Sequence, residues 1–352
     1  MADVRPFRAL RYDTAKAGPL ESLVAPPYDV ISEDERAEYL ARSPYNVVHL
    51  TLPESEDAAG RAFEEWRENG VLVRDDELAY WLLSQEYVGP DGVGRTRNGI
   101  VASLRAEPYD RGVVLPHERT HRGPKEGRLR LLRAVRAQLE PIFLLYDGPA
   151  VEPPSREPDL EIEGARLWRV DDAPDFSSTQ LLIADGHHRY ETALAYAEEG
   201  GSPHLMVVLV PTHQTGLTIF PTHRVVERLD GVNGSEPAAG VGDALTQLEE
   251  LPRDRPAVAL YRDGETRVLK GDEPELDAAF VERFAPEGVS YTPRVEEAVA
   301  AVDSGRAQAA FLLRAPTIEQ VRAVAERGET MPQKSTYFFP KLTSGLLFHP
   351  LD

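Results

Sequence analysis

The chain has 352 residues, 41% of them hydrophobic, a formal charge of −20 and no cysteine. That length allows two domains or one large one, and the missing thiols exclude disulfides, thiol catalysis and zinc–thiolate sites. Five lysines against 34 arginines on so acidic a chain suggest a halophilic source, or an ordinary acidic bacterial one, and the net charge argues against non-specific nucleic-acid binding.

The first residues lack a basic-then-apolar signal pattern, and the apolar runs are strand-length, so a cytoplasmic protein with no membrane span is expected. Val4 to Tyr12 is strand-like. Ala25-Pro26-Pro27-Tyr28-Asp29-Val30-Ile31 is a rigid turn, because two prolines fix φ and remove two donors. Ser32 with Glu35 three residues on predicts a capping box. Asn46 to Leu52 has strand composition, and Asp57 to Glu68 is helical with Ala58, Ala62, Phe63 and Trp66 as its buried face. Leu78 to Val88 and Thr96 to Leu104 form a hairpin across the glycine-rich turn 89–94.

From His117 to Arg136 runs a basic island: Arg119, Arg122, Lys125, Arg128, Arg130, Arg133 and Arg136, opposed only by Glu118 and Glu126. Its Gly123-Pro124-Lys125 segment suits a loop that brings an ammonium to a phosphate. The helical arginines Arg130, Arg133 and Arg136 are equally suited to surface salt bridges. A helix over 128–138 and a strand over 141–146 follow, then a Pro-rich linker over 148–160.

The apolar run Leu181-Leu182-Ile183-Ala184 stops at Asp185-Gly186-His187-His188-Arg189, and a helical pattern begins there. A turn opening onto a helix N-terminus is an anion site, since free N–H groups and the positive dipole end attract phosphate or carboxylate. Zinc is the rival reading, through His187 or His188 with distant His117, His121 or His223. Adjacent histidines point apart on a helix, however, and neither has a histidine four residues on. A purely structural role is the third reading. After a strand at 205–210, Pro221-Thr222-His223-Arg224 is a polar strand end that suits an acidic ligand or a plain turn.

Composition divides the chain into residues 1–147, an N-terminal α+β region with the basic motif; 148–230, the region of the Asp-Gly-His-His-Arg turn; 231–330, an α/β subdomain that supports the rest or forms a homo-oligomer surface; and 331–352, a tail that folds back on the site. In the third part Ala/Glu-rich helical patterns alternate with strands at 257–261 and 309–313. Lysine is rare here, so Lys125, Lys334 and Lys341 stand out. Lys334-Ser335-Thr336 lacks the glycines of a P-loop. The fold class expected is α+β, mixed sheets with flanking helices.

Pro26 to Ile31, His117 to Thr120, Gly123 to Lys125, Asp185 to Leu194, Pro221 to Arg224 and Met331 to Phe338 together resemble the domain-of-unknown-function 1015 family over nearly the whole chain. Gly186-His187-His188-Arg189-Tyr190 with Ala193 is also similar to the nucleotide-binding box of ParB-type domains. It is closer still to the Asp-Gly-His-x-Arg box of ParB-like free serine kinases. That resemblance implies a ParB/sulfiredoxin-like core whose box holds nucleotide phosphates, and it places on Glu118 the base for a serine hydroxyl.

The leading expectation is a nucleotide-dependent phosphotransferase acting on a small hydroxylated metabolite such as serine, using ATP or ADP with Mg²⁺. Glu118, Asp185 and His187 are the candidate catalytic groups. Gly186, His188, Arg189, Arg119 and Lys125 would hold the nucleotide, and Tyr28, Thr222, His223, Arg224, Lys334 and Ser335 the substrate. A phosphatase of a small phosphorylated metabolite and a non-enzymatic nucleotide sensor are the alternatives.

Overall fold

The computed structural model describes every residue except His121, Asp230, Asn233 and 285–287; of Arg122 and Pro124 it describes the backbone alone. The His121 part of the zinc reading lies outside the described residues. The chain forms two compact units. The first holds residues 1–89, 94–217 and 340–352, the second 90–93 and 218–339. This division differs from the four-part reading. No boundary falls at 147/148, because the strands Ile142–Tyr146 and Leu181–Asp185 pair across it.

The first unit is built on a mixed sheet of nine strands among the described residues. The expected hairpin is present as Tyr80–Val88 and Gly94–Arg105. Beyond it lie His204–Pro211, then Ile142–Tyr146 in parallel, then Leu181–Asp185 antiparallel, then Val114–Leu115. Leu144, Ile183, Val207 and Leu209 fill one side with Tyr190 and Ala193 of the helix His187–Glu198. The α+β class with mixed sheets and flanking helices is what the chain adopts. The second unit carries a sheet of six strands among the described residues. Its neighbouring strands all pair antiparallel, although helices alternate with strands along the sequence as expected.

Several expected elements take other forms. Val4 to Tyr12 is two short strands, Val4–Arg5 and Leu10–Tyr12, the first ending before Pro6, which has no N–H to give a ladder. Asn46 to Leu52 is not a strand but contains the helix Val48–Thr51. Asn46 is buried; its amide donates to the Ser22 and Val24 carbonyls, and its Oδ1 accepts from the Val48 N–H. Val48 and Leu50, two of the residues that suggested a strand, are buried in that short helix instead. The capping box of Ser32 and Glu35 is formed at the helix Glu33–Arg42. Phe63 and Trp66 are buried on the helix Glu56–Glu68 as expected, together with Ala59 and Gly60, while Ala58 and Ala62 are half-buried.

Gly123, Pro124 and Lys125 do not form a loop. They are the opening turn of the helix Arg122–Val135. Proline is tolerated in a first turn because the N–H it lacks would have had no helical partner there. Among the described residues no helix is long and apolar enough to cross a membrane.

Candidate functional site

The strand Leu181–Asp185 loses register against Ile142–Tyr146 between Ile183 and Asp185. Such an irregularity re-aims the side chain that follows it, and here that side chain is Asp185. Gly186 then turns the chain at φ 100°, a left-handed conformation that side chains disfavour. The helix His187–Glu198 starts directly after it with no side-chain cap. Tyr190 anchors this helix: its hydroxyl donates to the Glu107 carbonyl (2.8 Å) and accepts from the Glu107 N–H (3.0 Å).

Asp185 is gripped by two cations. Arg189 donates to Oδ2 at 2.7 Å, and Lys341 of the C-terminal segment pairs with Oδ1. Burial pushes the Asp185 carboxyl up, but Lys341 and Arg189 outweigh it and hold it down at about 2. Burial likewise opposes the charge of Lys341, and Asp185 reverses that, so the ammonium titrates above its ordinary value. A third cation lies deeper. Arg97 is fully buried, donates to Gln85 (2.6 Å) and to the Pro340 carbonyl (2.7 Å), and lies 4.4 Å from the centre of the Phe143 ring. Its bond to Pro340 fixes the residue immediately before Lys341.

The Pro-Pro-Tyr turn joins the same locale through Glu140. This buried carboxylate accepts from the Tyr28 N–H (3.0 Å) and the Ser344 hydroxyl (2.9 Å). Ala25 and Ser344 exchange backbone hydrogen bonds, which tie the turn to the C-terminal segment. The Arg128 guanidinium lies 3.6 Å from the centre of the Tyr28 ring. An open groove lined by Tyr28, Arg36, Ser55, Glu56 and Arg128 adjoins this pair.

The His117 motif packs under the turn. Its Nδ1 donates to the Ile183 carbonyl at 2.7 Å, its backbone N–H donates to Nε2 of His187 at 3.2 Å, and the two rings meet edge to face. Accepting at Nε2 places the proton of neutral His187 on Nδ1. Glu118 is half-buried, with a carboxylate oxygen 4.0 Å from Nε2 of His117. Thr120 and Lys125 both donate to Glu191, one turn into the helix, at 2.7 and 2.9 Å. Arg119 is exposed. Arg130 and Arg133 serve as surface ion-pair partners of Glu56 and Glu199.

Tyr28, Glu118, Lys125, Asp185, Gly186, His187, His188 and Arg189 therefore share the first unit with Lys341. Thr222, His223, Arg224, Lys334 and Ser335 belong to the second. There Lys334 is exposed on a turn at φ 55°, while Arg224 and Ser335 are buried. Among the described residues no three histidine, aspartate or glutamate side chains gather as a metal site. Sequence reasoning missed Glu140, Glu191 and Ser344, and it attached the tail lysine to Lys334 rather than Lys341.

Two tests follow from this geometry. A Cβ on Gly186 would lie 3.2 Å from the Arg189 guanidinium in a backbone conformation unsuited to alanine. Gly186→Ala is expected to cost about 1–3 kcal/mol, seen as a lowered thermal midpoint; an unchanged midpoint would show that the turn is not strained. The second concerns pH. Burial drives His117 down to about 4, against its bond to Ile183, and drives His187 well below its ordinary value, with His117 adding to the effect. His223 and His349 are held near 4, chiefly by burial. Below 6.5 the unfolded chain thus binds more protons than the native one. Their contribution is full above about 6.5 and is lost as pH falls toward 4, at up to about 1.4 kcal/mol per pH unit for each imidazole. Urea midpoints should drop between pH 7 and 5, less steeply in His117→Asn. A flat profile would contradict burial of neutral rings.

An α+β protein with a buried aspartate held by two cations at the start of a helix is the class that this fold and site define. The chain belongs to the family described as Protein of unknown function (DUF1015), whose model matches residues 4–301. No curated protein matches it significantly. Among solved structures it is similar to a free serine kinase in complex with AMP, at 18% identity and TM-score 0.39, over 64% of this chain and 83% of that one. A conserved hypothetical protein from Pyrococcus furiosus is similar at 17% identity and TM-score 0.37, over 66% and 90%. SbnI with a C-terminal truncation, from Staphylococcus aureus, is similar at 14% identity and TM-score 0.37, over 69% and 81%.

Proposed function

We propose that the turn Asp185 to Arg189 binds the phosphates of ATP or ADP and that the chain transfers a phosphoryl group to a small hydroxylated metabolite, with free serine the first acceptor to test. The observation that carries this reading is the meeting of Lys341, Arg189 and Asp185 at the uncapped start of the helix His187–Glu198. Cations at a helix N-terminus attract phosphate, and phosphoryl transfer depends chiefly on positioning and charge neutralisation. The resemblance of Asp185 to Arg189 to the free serine kinase box supports the same assignment.

Each group has a role in this reading. Arg189 and Lys341 hold phosphate oxygens. Lys125 and the exposed Arg119 neutralise charge on the group in transfer. Glu118 accepts the hydroxyl proton. His187, whose Nε2 is engaged by the His117 backbone, positions the turn. Tyr28 and Arg128 form the wall of the adjoining groove. Asp185 stays ionised among phosphates, which fits a carboxylate that shares Mg²⁺ with them, since this ion needs only one or two protein oxygens. When bound there, Mg²⁺ would neutralise phosphate charge.

The test is incubation with serine and ATP or ADP, followed by mass spectrometry for phosphoserine. Its absence with both nucleotides would remove the serine kinase version. Phosphate release from phosphoserine without nucleotide would select the phosphatase. Tight nucleotide binding without turnover across a metabolite panel would select the sensor.

A further inference from the structure

The second unit holds a buried cation, Arg224, that makes no ion pair with a carboxylate among the described residues. The strand His223–Val226 sends Val225 into one apolar cluster of this unit and Val226 into another, so alternate side chains face opposite sides of its sheet. Arg224 shares the face of Val226 and lines a pocket with Thr222, Arg253, Asp277 and Arg314. Two of these three guanidinia have carboxylates. Arg314 makes a two-pronged bond to Asp277, at 2.8 and 2.7 Å, and Arg253 pairs with Glu249.

Arg224 has no carboxylate at ion-pair distance among the described residues. Its two acceptors are the backbone carbonyls of Thr222 and Gln333, and the Tyr291 ring lies 5.3 Å away. It is only 4% exposed, and burial depresses its pKa. Burying an unpaired charge is costly. Thr222 is 8% exposed and lines the same pocket. A buried cation with no carboxylate at ion-pair distance among the described residues and the Thr222 side chain thus line one small space.

We infer that this pocket binds a single oxyanion head group, the carboxylate or phosphate of a small metabolite, on the Arg224 guanidinium with the Thr222 hydroxyl as a second donor. An oxyanion is the matching ligand because a guanidinium offers parallel N–H donors to two oxygens. The site is tight, lies wholly within the second unit and stands independently of the phosphotransfer reading.

The test is calorimetric titration of the full chain with inorganic phosphate and, separately, with malonate. Saturable binding of at least one is expected. Thr222→Val leaves both carbonyl bonds of Arg224 in place and should weaken that binding severalfold; Arg224→Gln should weaken it tenfold or more. Arg133→Gln, which removes a surface ion pair of the other unit, should leave it unchanged. Tighter malonate binding identifies a carboxylate ligand, tighter phosphate binding a phosphorylated one. No saturable binding, or equal affinity in wild type and Thr222→Val, overturns the inference, and the latter variant decides if Arg224→Gln does not fold. A loss caused by Lys341→Met, but by neither Thr222→Val nor Arg224→Gln, would assign the binding to the first unit and equally overturn it.

Discussion

Replacing Lys341 with methionine is expected to lower nucleotide affinity by tenfold or more and to destabilise the chain by about 2–4 kcal/mol. Methionine keeps most of the stem length and removes only the charge. Asp185 would then have one of its two bonded cations, Arg189, against the full effect of burial. Removing one member of a buried pair costs more than the pair itself is worth, because the remaining charge stays desolvated. Arg189 limits that loss by holding the other carboxylate oxygen. The pH dependence has a definite sign. A carboxylate held near 2 contributes stability above its ordinary value of 3.8, and that stability is lost as pH falls toward 2. In Lys341→Met this acid-sensitive contribution shrinks, and in Lys341→Arg most of it should remain. Acid titration of stability for the three proteins checks the point. A variant as stable as wild type at both pH 7 and pH 3 would show that Lys341 does not hold Asp185.

Glu118→Gln is expected to reduce turnover by about 10²–10⁴-fold while leaving ADP affinity within about threefold. Glutamine has nearly the same shape and no basicity. Steady-state kinetics with direct binding separates the two effects. Loss of binding alongside turnover would assign Glu118 to the nucleotide; full turnover would exclude it as the base and leave the phosphate site standing.

The sequence made the central turn legible because its parts are local. An apolar strand, a glycine able to take φ 100° and a helical pattern lie within a few residues, and the structure contains all three in order. The hairpin around 89–94 and the capping box at Ser32 were legible for the same reason. Glu140, Glu191 and Ser344 were not, since their partners lie 112, 66 to 71 and 204 residues away. The choice between Lys334 and Lys341 shows the limit most clearly. These lysines are seven residues apart, yet the chain passes from one compact unit to the other between Phe339 and Pro340. Tyr337–Phe339 pairs with Thr218–Phe220 in the second unit, and Lys341 then pairs with Asp185 in the first. No local pattern marks that crossing.

The most direct test of the phosphate site is equilibrium binding of ADP to the full chain by calorimetry, in wild type, Gly186→Ala and Lys341→Met. The geometry at Asp185 predicts one saturable site in wild type and affinity at least tenfold weaker in both variants. Absence of saturable binding in wild type, or equal affinity in all three proteins, would contradict it.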